Sequence, residues 1–207
     1  MDVGEPRKKP SPISENYLLV VEGKDELYFF DALLRHLGIS EIEVRDIGGK
    51  TRFPDRAKAL WRDSGFSAVR AMGIVRDADD NPRGAFRSVQ NALRAAGFVC
   101  PRKSCEFAKG TPAVGVFILP GEGKPGMLED LCLQAVTDDP AIPCVEAFCE
   151  CLSKTDLEFP KNPSKARMHC FLASRPRADL RLGEAAQAGY IDWNHSAFEP
   201  KIGSQIG

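Results

Sequence analysis

Four times in the first two-thirds of the chain a short apolar run ends in a polar or glycine-rich cluster, and an amphipathic stretch follows. The runs are Tyr17–Val21, 42–47, 69–75 and Ala113–Leu119. The clusters are Glu22-Gly-Lys-Asp25, Gly48-Gly-Lys50, Asp77-Ala-Asp79-Asp80 and the glycine-rich stretch 120–130. Apolar side chains in the following stretches recur at steps of three and four, as a helix with one buried face requires. Strands alternating with helices predict an α/β fold with a Rossmann-like, mostly parallel, doubly wound sheet, because parallel neighbours need a crossover long enough to hold a helix.

Leu27, Phe30, Leu33, Leu34 and Leu37 mark the first helix, with Gly38 placed as its C-cap. Phe53, Ala57, Leu60 and Trp61 mark a second that closes near Gly65, and Phe86, Val89, Leu93 and Ala96 a third that ends at Gly97. Residues 98–100 read as a further strand, joined to Ala113–Leu119 by a hairpin loop over 101–112, and 127–136 starts another helix. After about residue 140 the strand signals stop, and 143–152, 164–174 and 182–188 read as helices. The expected organisation is a disordered arm at 1–15, an α/β domain at 16–140, and a helical C-terminal extension at 141–207 packed on that domain.

A net charge of −1 gives no bulk attraction to nucleic acid or to a membrane, so either partner would have to be held by a local patch. No apolar run approaches the roughly 20 residues of a membrane span, and none follows the basic N-terminal residues as a signal peptide would. The expected location is the cytoplasm. Seven scattered cysteines then read as reduced thiols. Cys144, Cys149 and Cys151 could suggest zinc, but the chain has no C-x₂-C pair and only three histidines.

Open α/β sheets gather functional groups at the carboxyl ends of their strands, where all four polar clusters fall. A single acid at such a point is as readily an N-cap, and Asp25 and Asn81 are open to that reading. Asp77 and Asp79 together are harder to place without a ligand. Crowded like charges repel, and a divalent cation relieves them; carboxylate oxygen is the donor that Mg²⁺ and Mn²⁺ prefer.

Val20-Val-Glu-Gly-Lys-Asp-Glu26 at the start of a helix, followed by Gly73-Ile-Val-Arg-Asp-Ala-Asp79 after a later strand, resembles the Toprim domain of topoisomerases, primases and OLD-type nucleases. Gly126-Met-Leu-Glu-Asp-Leu131, Pro163-Ser-Lys165 and Leu182-Gly-Glu-Ala-Ala-Gln-Ala-Gly189 further resemble stand-alone Toprim-like proteins of unassigned function related to the OLD nucleases. The resemblance implies Glu22 as general base or metal ligand and Asp77 and Asp79 as ligands for Mg²⁺ or Mn²⁺. It leaves Glu129 or Asp130 to complete a second position, so one or two ions are expected. Lys165 is the candidate for a catalytic lysine beside the metals, against the alternative of a solvated helix. Glu129 equally suits a helix N-terminus as a dipole partner.

Gly49-Lys50-Thr51 looks like the end of a Walker A loop, but Val44 stands where its first glycine belongs, so no phosphate-cradling turn is expected. Gly48 and Gly49 would let the backbone pass close to the site and leave Lys50 to meet a phosphate, or Lys50 is simply solvated. Asp77-x-Asp79 also suits haloacid-dehalogenase phosphatases, yet there the motif opens the domain, whereas two strand–helix units precede it here. Basic residues cluster at 50–62 and again at 154–181, as backbone phosphates require and as solvated helices also display. The expected function is a Toprim-type, metal-dependent phosphodiesterase cleaving DNA or RNA, with phage defence as one setting and a homodimer or a partner encoded nearby as possible assemblies. The rival is a non-catalytic module that binds nucleic acid or regulates a partner.

Overall fold

The computed structural model describes residues 11–198. Five strands, β1 (Tyr17–Val21), β2 (Ile42–Asp46), β3 (Ala71–Asp77), β4 (Phe107–Ala108) and β5 (Ala113–Leu119), form one sheet in the order β2-β1-β3-β5-β4. All neighbours are parallel except β4, which runs antiparallel along β5. Helices α1 (Lys24–His36), α2 (Phe53–Leu60), α3 (Pro82–Ala95), α4 (Leu128–Ala135), α5 (Ile142–Ser153), α6 (Pro163–Ala173) and α7 (Leu182–Gln187) complete the fold.

Alternation along the strands sends side chains into two separate cores. Leu18, Val20, Met72, Ile74, Val114 and Val116 face α2 and α3, where Ala57, Leu60, Val89 and Leu93 meet them. Val21, Val75 and Leu119 face the other way, onto Phe29 of α1 and Leu128, Leu131 and Cys132 of α4. Strands covered on both faces read as continuous apolar runs, which is why β3 and β5 show little polar alternation. The C-terminal helices complete this second core: Met168, Phe171, Leu172, Leu182 and Ala185 are all buried in it. Positions 199–207 of the expected C-terminal extension lie outside the described residues.

Two expectations need correction. Residues 98–100 pair with no strand; Phe98 instead stacks on Trp61 with ring centroids 4.4 Å apart and meets Phe66 edge-on. A short apolar segment can satisfy its burial through aromatic packing alone. The antiparallel partner of β5 comes from Phe107–Ala108, inside the expected loop, and the Phe107 ring covers Gly115 so closely that a Cβ there would meet it at 2.8 Å.

Positions 1–10 of the expected arm lie outside the described residues, but its last residues are tied down. Ile13 is buried, its N–H donates to the Ser64 carbonyl (2.7 Å), and Ser14 hydrogen-bonds Glu43. At Gly65, φ +86°, a Cβ would strike the Ile13 carbonyl oxygen at 2.1 Å. All seven cysteines are free thiols, and no described helix is long and apolar enough to cross a membrane.

Candidate functional site

The chain leaves β1 for β2 on one side and then returns to β3 on the other, so the strand order reverses at β1. Helix α1 covers one face of the sheet and α2 the opposite one. The crevice beyond the carboxyl ends of β1 and β3 is therefore the topological switch point, where α/β proteins of this kind place ligands. Glu22 follows β1, and Asp77 ends β3 level with Leu119 at the end of β5. Pleating then splits the charged groups between the two faces.

On the α1–α4 side stand Asp77, Glu26 and Glu129. Asp77 is half-buried and its carboxyl is pushed up to about 8, first by loss of water and then by the charges of Glu26, Glu22 and Glu129. A hydrogen bond from the Leu128 N–H (3.1 Å) at the start of α4 opposes the rise. Glu26 is likewise raised by burial and by Glu22, Asp25 and Glu129. Lys165, near the start of α6, places its amine 3.6 Å from Glu129 Oε1.

On the α2–α3 side stand Glu22, Arg76, Lys50 and Asp79. Burial raises the Glu22 carboxyl even though Arg76 and Lys50 lower it. Asp79 adopts φ +48°, a left-handed conformation that Asp tolerates, and its N–H and C=O turn belongs to a bridge with Gly126, whose N–H donates to the Asp79 carbonyl (2.7 Å). Its carboxylate accepts from Lys50 Nζ at 2.8 Å, and that contact raises the Lys50 pKa. Gly48 and Gly49 both have positive φ, and the Gly49 N–H donates to the Glu22 carbonyl at 2.8 Å, which brings Lys50 over the end of β1.

Glu22, Asp77, Asp79, Glu129, Lys50 and Lys165 thus gather at one edge. Asp130 departs from its expected place: its carboxylate accepts from the Met127 N–H (2.8 Å) and the Ser164 hydroxyl, so it caps α4 and ties it to α6. Asp25 does not cap α1, whose N-cap is Gly23, whereas Asn81 does cap α3 by accepting from the Gly84 N–H. Glu26 and Arg76 also belong to this edge, beyond the residues expected from sequence. Glu26 lies in the first turn of α1, one turn after Glu22. Arg76 was visible as the one charge inside the apolar run of β3 before Asp77.

Among the described residues no three His, Cys, Asp or Glu side chains are drawn together closely enough, as they stand, to hold a metal. Asp79 is held by Lys50, and Asp77 accepts from the Leu128 N–H. The donor chemistry nevertheless suits a hard cation. Glu22 Oε2 and Asp25 Oδ1 are buried with no hydrogen-bond partner, and buried carboxylate oxygen without a donor is costly unless a cation or proton meets it.

The sheet and its edge define the class: a doubly wound α/β protein with a carboxylate-rich site at the switch point. Within it, the chain belongs to the family described as Protein of unknown function (DUF3226), whose model matches residues 16–202. Among solved structures it is similar to the C-terminal region of the Xanthomonas campestris pv. campestris OLD protein, at 16% identity and a TM-score of 0.41 over 84% of each chain. It is also similar to the C-terminal region of the Burkholderia pseudomallei OLD protein, at 15% identity and a TM-score of 0.42 over 86% of this chain and 89% of that one. No curated protein matches it.

Proposed function

We propose that this chain is a Toprim-type phosphodiesterase that cleaves DNA or RNA in the cytoplasm with Mg²⁺ or Mn²⁺ as cofactor. Glu22, Asp77, Asp79 and Glu129 would hold the ion or ions, with Glu26 beside them. The observation that carries this reading is the placement of Glu22, Glu26, Asp77 and Glu129 at the ends of β1 and β3 and the starts of α1 and α4, with Glu22 Oε2 buried and without a hydrogen bond. When bound, the cations supply Lewis-acid stabilisation of the phosphoryl oxygens and of the attacking water. As general base in place of a ligand, Glu22 would accept the proton of the attacking water. Lys165, held by Glu129, presents an ammonium to the negative charge that builds up in the transition state.

The experiment is a thermal melt with Mg²⁺, Mn²⁺ or EDTA. Binding to the folded state alone should raise the melting temperature, and Asp77→Asn with Asp79→Asn should abolish the rise. Identical responses of wild type and double variant would remove the metal site. In a cleavage assay Glu22→Gln, which keeps shape and loses the charge, should lower turnover by about 100-fold or more, as loss of a general base does. Near wild-type turnover would take Glu22 out of the mechanism.

A second reading draws on the same contacts. Asp77 accepting from α4 and Asp79 pairing with Lys50 are roles that need no cation, and they suit a non-catalytic module that binds nucleic acid. A protein that binds oligonucleotide without any metal-dependent shift would be that module.

A further inference from the structure

Arg76 precedes Asp77 on β3, and the pleat sends it to the opposite face, toward α3. Its side chain is only 14% exposed. Nε has no hydrogen bond and lies 3.8 Å from Glu22 Oε2, which also has none. That separation is an ion pair but not a hydrogen bond. Elsewhere on the fork, Nη1 donates to Ser88 Oγ of α3 at 3.2 Å. A guanidinium does not lose its charge in proteins, so a buried N–H of this kind lacks an acceptor that it can neither replace nor do without.

The space beside it is a cleft of about 510 Å³, lined by Lys50, Arg76, Asp79, Asp80, Asn81 and Gly84. Two cations thus reach it from different elements, Lys50 from the Gly48-Gly49 turn and Arg76 from β3. The N-terminus of α3, 14 residues long, opens on the same cleft and adds its positive dipole end. The Lys50 ammonium is half exposed and hydrogen-bonded to Asp79, an exposed pair that exchange with a stronger acceptor can open at little cost.

We propose that Arg76 and Lys50 form a phosphate-oxyanion subsite in this cleft, which grips a backbone phosphate of the nucleic-acid substrate beside the carboxylates. The proposal rests on the phosphodiesterase reading and deepens it. Arg76 donates from its guanidinium to one non-bridging oxygen, Lys50 donates to another, and Ser88 Oγ holds Nη1 from α3. Asp79 and Glu22, which now face these cations, are the groups that the phosphate would displace from them.

Titration calorimetry of the full chain with inorganic pyrophosphate in EDTA, and again in Mg²⁺, tests this. Arg76→Gln and Lys50→Met should each weaken binding by about tenfold or more, as loss of a charge-assisted hydrogen bond does. Glu22→Gln in EDTA should tighten it, because the competing carboxylate is gone. A merely structural arginine would not produce opposite signs at the two ends of one ion pair. Wild-type affinity in Arg76→Gln, or no pyrophosphate binding by wild type in either buffer, overturns the proposal. Should Arg76→Gln lose its folded circular dichroism spectrum, Lys50→Met and Arg76→Lys decide instead, the latter keeping the charge without the fork. Displacement of pyrophosphate by a single-stranded oligonucleotide supports the assigned source, and displacement by ATP alone overturns it. Arg76-dependent binding that Mg²⁺ does not alter leaves the subsite standing and removes the metal reading.

Discussion

Asp77→Asn should make the protein more stable than wild type in EDTA at pH 8.5, by on the order of 3–5 kcal/mol, and the gain should shrink steadily toward pH 5. The sign follows from the raised carboxyl. Folded Asp77 holds its proton up to about 8, whereas the unfolded side chain releases it near 3.8. The folded state therefore binds the extra proton between those two values. Stability from this group is fully present below the unfolded value and is lost as pH rises through the folded one. Asparagine carries no charge to bury and still offers an oxygen to the Leu128 N–H.

The same substitution should cost the protein its response to Mg²⁺ or Mn²⁺, so stability in EDTA and metal response move in opposite directions. In wild type the metal-induced rise in melting temperature should grow between pH 6 and 8.5, because a ligand carboxyl must lose its proton before it coordinates. Paired melts in EDTA and in Mg²⁺ across that range check both statements. A pH profile shared by Asp77→Asn and wild type would mean that Asp77 does not sit among the charges of Glu22, Glu26 and Glu129.

Much of the frame was legible because its signals are local. β1 was readable to the residue, since Tyr17–Val21 is an apolar run with Glu22-Gly23 at its end, and α3 was marked by the Asn81 cap and Gly97. The expected partner of β5 was misplaced because two competing uses of apolar residues look alike in sequence. Phe98 packs as a ring on Trp61, while Phe107, 63% exposed and preceded by Glu106, takes the edge of the sheet. At the site, Glu22, Asp77 and Asp79 were visible as strand-end acids. The pairing of Arg76 with Glu22 and the diversion of Asp130 to Met127 and Ser164 depend on which way the pleat and the first turn of α4 point each side chain. Spacing alone does not carry that information.

Gly183 is the residue whose role only the packing reveals, and its substitution should give the second large effect. It sits in α7, which lies against α1 so closely that a Cβ would meet the Asp25 carbonyl oxygen at 2.5 Å and the Tyr28 Cβ at 2.6 Å. Ala185 and Ala186 are buried on the same short helix. Both obstacles are at or next to the α1 backbone, so no flexible side chain can swing aside. Gly183 does not occupy the left-handed region, and alanine in a helix is favoured over glycine by about 1 kcal/mol. Propensity therefore predicts that Gly183→Ala stabilises. The packing predicts a loss of about 1–3 kcal/mol, and for Gly183→Val about 3 kcal/mol or more, because overpacking against backbone forces α7 away from α1. Gly189→Ala is the control: φ is +80° with nothing within 4 Å of a Cβ, so its cost is backbone strain alone. The consequence for the site is direct. The first turn of α1 carries Glu26 and follows Glu22, so a wedge at Asp25 should also weaken the metal-induced rise in melting temperature, although Gly183 lies on a helix far along the chain from both acids. Denaturant melts of the three variants, each with and without Mg²⁺, measure both effects. A stabilised Gly183→Ala would show that α7 does not press on α1 as described.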